Sequence, residues 1–131
     1  MLTCLAFMLT VSLTELPSLA TEVEAEARAL TVQTEVTPAL LASIDDFSGD
    51  AERLSVALRQ AGVEQDLPCI FHGIAEDARE RSAALQAADT AEEREAAFVS
   101  LRVLLDDAIL IAPMAAGAAA DLVAEQHVAS R

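Results

Sequence analysis

The sequence predicts an all-α fold, an up-and-down bundle of four to five helices, and three observations lead there. Alanine supplies 28 of 131 residues, and it is the best helix former. Apolar positions recur every three or four residues along most of the chain, the spacing of one helical face. Helix-start signals and helix breakers punctuate that pattern at short intervals, so the connections are short and neighbouring helices run antiparallel.

The first fourteen residues, MLTCLAFMLTVSLT, carry no charged side chain. The apolar stretch from Leu2 to Leu13 has the length of a signal-peptide core and falls short of the roughly 20 residues that cross a bilayer. Ser18-Leu19-Ala20 places small residues where a signal peptidase cuts, and an acidic, alanine-rich composition begins immediately after. The expectation is an export leader over 1–20 and one helical domain over 21–131, periplasmic or secreted. A basic segment before the apolar core is missing. The alternative is a cytoplasmic bundle with residues 1–14 in its core. Cys4 precedes the apolar core, so it is not a lipoprotein cysteine.

Thr21 to Glu24 has the form of a capping box, and Ala25, Ala29, Val32, Val36, Leu40, Ile44 and Phe47 follow at helical spacing. The reading is a helix over about 22–46, kinked where Thr37 caps a restart at Pro38. Leu30 to Thr37 also alternates like a strand, but no partner strand exists. Ser48-Gly49-Asp50 reads as a turn. A second helix then spans about 51–61 on Leu54, Ala57, Leu58 and Ala61, and Gly62 ends it.

Asp66 is placed to cap a third helix that tolerates Pro68 in its first turn. Its stripe is Leu67, Ile70, Phe71, Ile74, Ala78 and Leu85, with Asp77 and Arg81 placed to pair. Thr90 to Glu93 is a second capping box, with Glu92, Glu93 and Glu95 at the positive end of the helix dipole. The fourth helix has Phe98, Leu101, Leu105, Ala108, Ile109 and Ala112 inside. Val103, Leu104, Leu110 and Ile111 widen that face, which makes this helix the most buried of the set. Pro113 is expected to kink or break it, and the tail continues helical to about residue 127. The uncharged run Ala108 to Ala120 is 13 residues long, too short for a membrane span.

Twenty-two acidic and eight basic side chains give a net charge of −14. The eight arginines are scattered, which argues against nucleic-acid binding because phosphate recognition needs clustered cations. Two cysteines make no disulfide scaffold. The acidity can serve a high-salt habitat, solubility, or a basic partner. The alanine-rich faces leave room for a second copy, so a homodimer is among the expected assemblies.

One constellation carries candidate chemistry. Cys69, His72 and Glu76 fall on the side of the third helix opposite its apolar stripe, and thiolate with imidazole suits zinc or copper. Three ligands from one helix leave such a site incomplete, and the plainer reading is a solvated face with His72 paired to Glu76. Side by side on one helix surface, Cys69 and His72 do not make a nucleophile and base facing a common cleft. No Gly-rich phosphate loop and no Glu-x-x-His motif occurs. The pairs Asp45-Asp46 and Asp106-Asp107 diverge on a helix and read as solvated. Together these features favour a small, acidic, exported binding module for a protein partner, with no enzyme activity and no resident cofactor. Metal or thiol handling through Cys69, His72 and Glu76 is the alternative.

Overall fold

A computed structural model describes residues 12–63 and 66–129, and there the chain is four helices with no strand. They are α1 (Leu16–Thr31), α2 (Pro38–Gln60), α3 (Leu67–Ala87) and α4 (Ala91–Ala129). Each helix packs against its chain neighbour, and α4 closes the ring by packing along α1, while the diagonal pairs scarcely meet. That arrangement is the up-and-down four-helix bundle that short connections favour.

The ends of the helices follow local chemistry. Thr37 accepts the Leu40 N–H on its side-chain oxygen at 3.0 Å, with Pro38 in the first turn of α2. The proline costs nothing there, since its missing N–H would have been unpaired. At the other end of α2, Gly62 takes φ +82°, Val63 N–H reaches the Leu58 carbonyl and Gly62 N–H the Arg59 carbonyl. This is a Schellman turn, which glycine adopts without a Cβ penalty. Thr90 accepts the Glu93 N–H at 3.1 Å, and Glu93 reaches back to the Asp89 N–H at 2.9 Å. The capping box therefore forms, with its return bond one residue earlier than the motif places it. Asp66 stands at the start of α3 without a side-chain capping bond.

Several expectations are overturned. The region 22–46 is not one kinked helix: α1 ends at Thr31, and residues 32–37 are a connection. The phase of the apolar pattern is lost there, so Ala25, Ala29 and Val32 are exposed, whereas Leu40, Ile44 and Phe47 are buried. The buried stripe of α1 is instead Leu16, Ala20, Val23, Ala27 and Leu30, with Leu19 beside it. Its steps of four and three are those of a helix seam. Thr21 caps nothing. It lies inside α1 and donates to the Pro17 carbonyl at 3.0 Å, because apolar Leu16 and Leu19 extend the buried face N-terminally past the local capping signal. The apolar core of the expected leader, through residue 11, lies outside the described residues. α1 itself runs across the Ala20–Thr21 bond.

Ser48-Gly49-Asp50 is not a turn but mid-α2. Buried Ser48 donates to the Ala75 carbonyl at 2.8 Å, and buried Ser55 donates to the Pro68 carbonyl at 2.6 Å. The donors are seven residues apart on α2 and the acceptors seven apart on α3, so these two bonds define an antiparallel register. Buried hydroxyls need such partners, and their small side chains, with Ala51, Ala75 and Ala78, let α2 and α3 approach closely.

α4 is unbroken through Pro113, whose ring stands on the exposed side. Nor is α4 the most buried helix, with nine of its 39 residues buried against nine of 23 in α2. Ala97, Phe98, Leu101, Leu104, Leu105, Ala108, Ala112, Ala115 and Ala119 enter the core, while Val103 and Leu110 face outward and Ile111 is half-buried. At 39 residues, about 58 Å at 1.5 Å per residue, α4 is much longer than its neighbours. By length and composition it could cross a membrane, although a third of its most apolar window is buried inside the bundle. Arg81 does not reach Asp77; it pairs with adjacent Glu80 at 3.5 Å.

Candidate functional site

The three residues singled out on α3 all lie on its exposed side. Cys69 is a free, exposed thiol. His72 projects from the middle of the α2–α3 seam and is held at both ring nitrogens. Its Nδ1 lies 2.8 Å from Glu52 of α2, and its Nε2 lies 3.1 Å from Glu76 one turn on. The helical spacing of four residues foretold the Glu76 contact. The Glu52 contact depends on how α2 docks against α3 and leaves no signal in the sequence. Hydrogen bonding to Glu52 is the largest influence on His72, followed by the charges of Glu52 and Glu76, and together they raise its pKa. Among the described residues no group of three or more His, Cys, Asp and Glu side chains is arranged to hold a metal ion. What the arrangement does is bind α2 to α3 through a charge-assisted bridge at the surface.

A second polar cluster lies between α1 and α2, and sequence reasoning missed it. Glu26 of α1 has its Oε2 buried without a hydrogen-bond partner. Burial raises its pKa to about 8, helped by hydrogen bonding and charge from Asp50 and by the charges of Glu22 and Asp46. Asp50 is also bound by Arg53 at 3.1 Å. Beside Glu26 opens a cleft of about 280 Å³ whose walls include Ala29, Leu30, Leu40 and Asp46. The signal that could have found Glu26 is its place one residue before Ala27, at the edge of the true α1 stripe; the stripe predicted for α1 was out of phase and hid it.

The third feature is apolar. On α4, Val99, Val103, Leu110 and Met114 are 50%, 59%, 72% and 58% exposed. At 100° per residue they fall within a sector of about 60°, so they form one outward stripe. Pro113 stands beside it, and a shallow groove lined by Ala91, Glu92, Glu95, Ala96 and Val99 continues it toward the start of α4. Single exposed apolar residues are ordinary, but four aligned on one helix are not.

No protein-family model, curated protein or solved structure matches this chain.

Proposed function

We propose that the protein is a non-enzymatic binding module whose protein partner lays a helix along the outer face of α4. The exposed stripe of Val99, Val103, Leu110 and Met114 carries this reading. An apolar stripe about 22 Å long on one continuous helix suits helix-in-groove or helix-on-helix recognition, in which side chains every three or four residues anchor the partner. The other two features support structural roles. His72 ties α3 to α2, and the Glu26 cluster sits beside a cleft between α1 and α2.

A photo-reactive residue placed at Val103 or Leu110, in cells that natively make the protein, should give discrete crosslinks to another polypeptide. The same residue at exposed Arg79 of α3 should give none. Equal labelling at all three positions, or none at Val103 and Leu110, overturns the reading.

A further inference from the structure

The stripe on α4 is apolar at its centre and acidic around it. At 100° per residue, Glu92 and Asp121 fall in line with Val99, Val103, Leu110 and Met114, while Asp106 and Asp107 fall on either side of them. All four carboxylates are exposed. Among the described residues no ion pair engages Glu92, Asp106 or Asp107. The nearest cation, Arg102, is turned toward Glu95 at 3.7 Å and lies over the Phe98 ring at 5.6 Å. No lysine occurs anywhere in the chain, and its net charge is −14.

Resting on the docking reading above, we infer that the partner segment is a cationic amphipathic helix. Its apolar side covers Val99, Val103, Leu110 and Met114, and its Lys or Arg side chains meet Glu92, Asp106, Asp107 and Asp121. Charge complementarity selects this occupant. A second copy of the chain would bring more carboxylates to a face that already holds unpaired ones, and like charges brought together across an interface are costly. An anionic lipid surface would be repelled for the same reason. A cationic helix places its charges where the acids are and its apolar side where water is excluded. The long stems of Lys and Arg also lie well along apolar surface.

The test uses the full chain and three fluorescent peptides of about 18 residues, five turns of helix. One is amphipathic with Lys and Arg flanking a Leu/Ala face. The second has the same face with Gln in place of the cations. The third has the composition of the first in a scrambled order. Anisotropy should show the first peptide binding about tenfold more tightly than the second, the factor that a few exposed charge pairs supply together, with the scrambled peptide weaker still. Added salt should narrow the gap. Asp106→Asn with Asp107→Asn should weaken the cationic peptide selectively, and Leu110→Ala with Met114→Ala should abolish binding while leaving the circular dichroism unchanged.

A control pair away from α4, Asp45→Asn with Glu80→Gln, should have little effect. If it weakens binding as much as the α4 pair, or if the scrambled peptide binds equally, the attraction is diffuse and the inference falls. If the neutral peptide binds as tightly as the cationic one and Leu110→Ala with Met114→Ala abolishes both, docking on α4 stands and its cationic partner does not. If no peptide binds, both fall. Self-association, or flotation with phosphatidylserine vesicles, that disappears in the Leu110→Ala, Met114→Ala variant assigns the face to a second copy or to a membrane and likewise overturns the inference.

Discussion

His72 shows how a surface side chain acquires a defined state. Glu52 and Glu76 each face one ring nitrogen, so protonation lets both nitrogens donate to carboxylates. The raised pKa means that its contribution to stability is fully present below the unfolded value near 6.5 and is lost as pH rises through the higher folded value. In NMR titrations, the His72 midpoint should lie above 6.5 in the intact protein, and Glu52→Gln should lower it more than Glu76→Gln does, because Glu52 supplies the largest influence. An unmoved midpoint in Glu52→Gln would remove the bridge from the account. Glu26 acts with the same sign, although there it is the neutral form that the fold favours. An acid whose folded pKa of about 8 exceeds its unfolded value binds more protons in the folded state, so stability falls as pH rises from about 4.5 toward 8. Glu26→Gln should flatten that part of the stability profile and raise the melting temperature at pH 8 more than at pH 5. Equal effects at both pH values would show that the carboxyl is ionised in both.

Helix ends respond to local chemistry, and their substitution costs are correspondingly local. Thr90 satisfies the Glu93 N–H at the start of α4, and Thr90→Ala should cost about 1 kcal/mol, the usual value of an N-cap. Denaturant midpoints with an unchanged m-value would measure it, and a loss near zero would mean that the long α4 holds its first turn by other contacts. Gly62 differs, since its φ of +82° is a conformation that side chains with a Cβ resist. Nothing crowds a Cβ placed there, so any penalty of Gly62→Ala reports backbone conformation and not a clash. Inside α2, Ser48 reads as a turn-former by type but, like Ser55, serves the α2–α3 seam, because each hydroxyl donates to a carbonyl on the opposite helix and not on its own.

The bundle as a whole depends on residues that the expected leader would carry away. Leu16 is 1% exposed, Leu19 4% and Ala20 0%, and all three precede the Ala20–Thr21 bond. Removing them opens part of the core, and each large-to-small change in a core typically costs about 2–5 kcal/mol. Residues 21–131 alone should therefore melt at a lower temperature than the full chain and bind a hydrophobic dye more strongly. Equal melting temperatures would show that the first turn of α1 is dispensable, as an export leader cut after Ala20 requires. Mass spectrometry of the protein from its native cells, read for an N-terminus at Thr21 or before it, then separates the exported from the unprocessed form.

The helical class, the caps at Thr37 and Thr90, the Gly62 stop, and the stripes of the second half of α2 and of α3 are all legible in the residues alone. Each of these rests on interactions within a few residues, or on a periodicity that one helix expresses alone. So is the placing of Cys69, His72 and Glu76 together on the exposed side of α3, since helix geometry orders faces without reference to a partner. That 32–37 is a connection, that α1 begins before Thr21, and that Ser48 lies mid-helix follow from packing, because burial against a neighbouring helix overrides local turn and cap signals. The same holds for the outward face of α4. The inner face of α4 is legible in the spacing, since Phe98, Leu101, Leu105, Ala108 and Ala112 are buried as expected, but Val103 and Leu110, which read as widening that face, stay exposed. How far the buried face extends is settled by where α1 and α3 pack, and they leave Val103 and Leu110 uncovered.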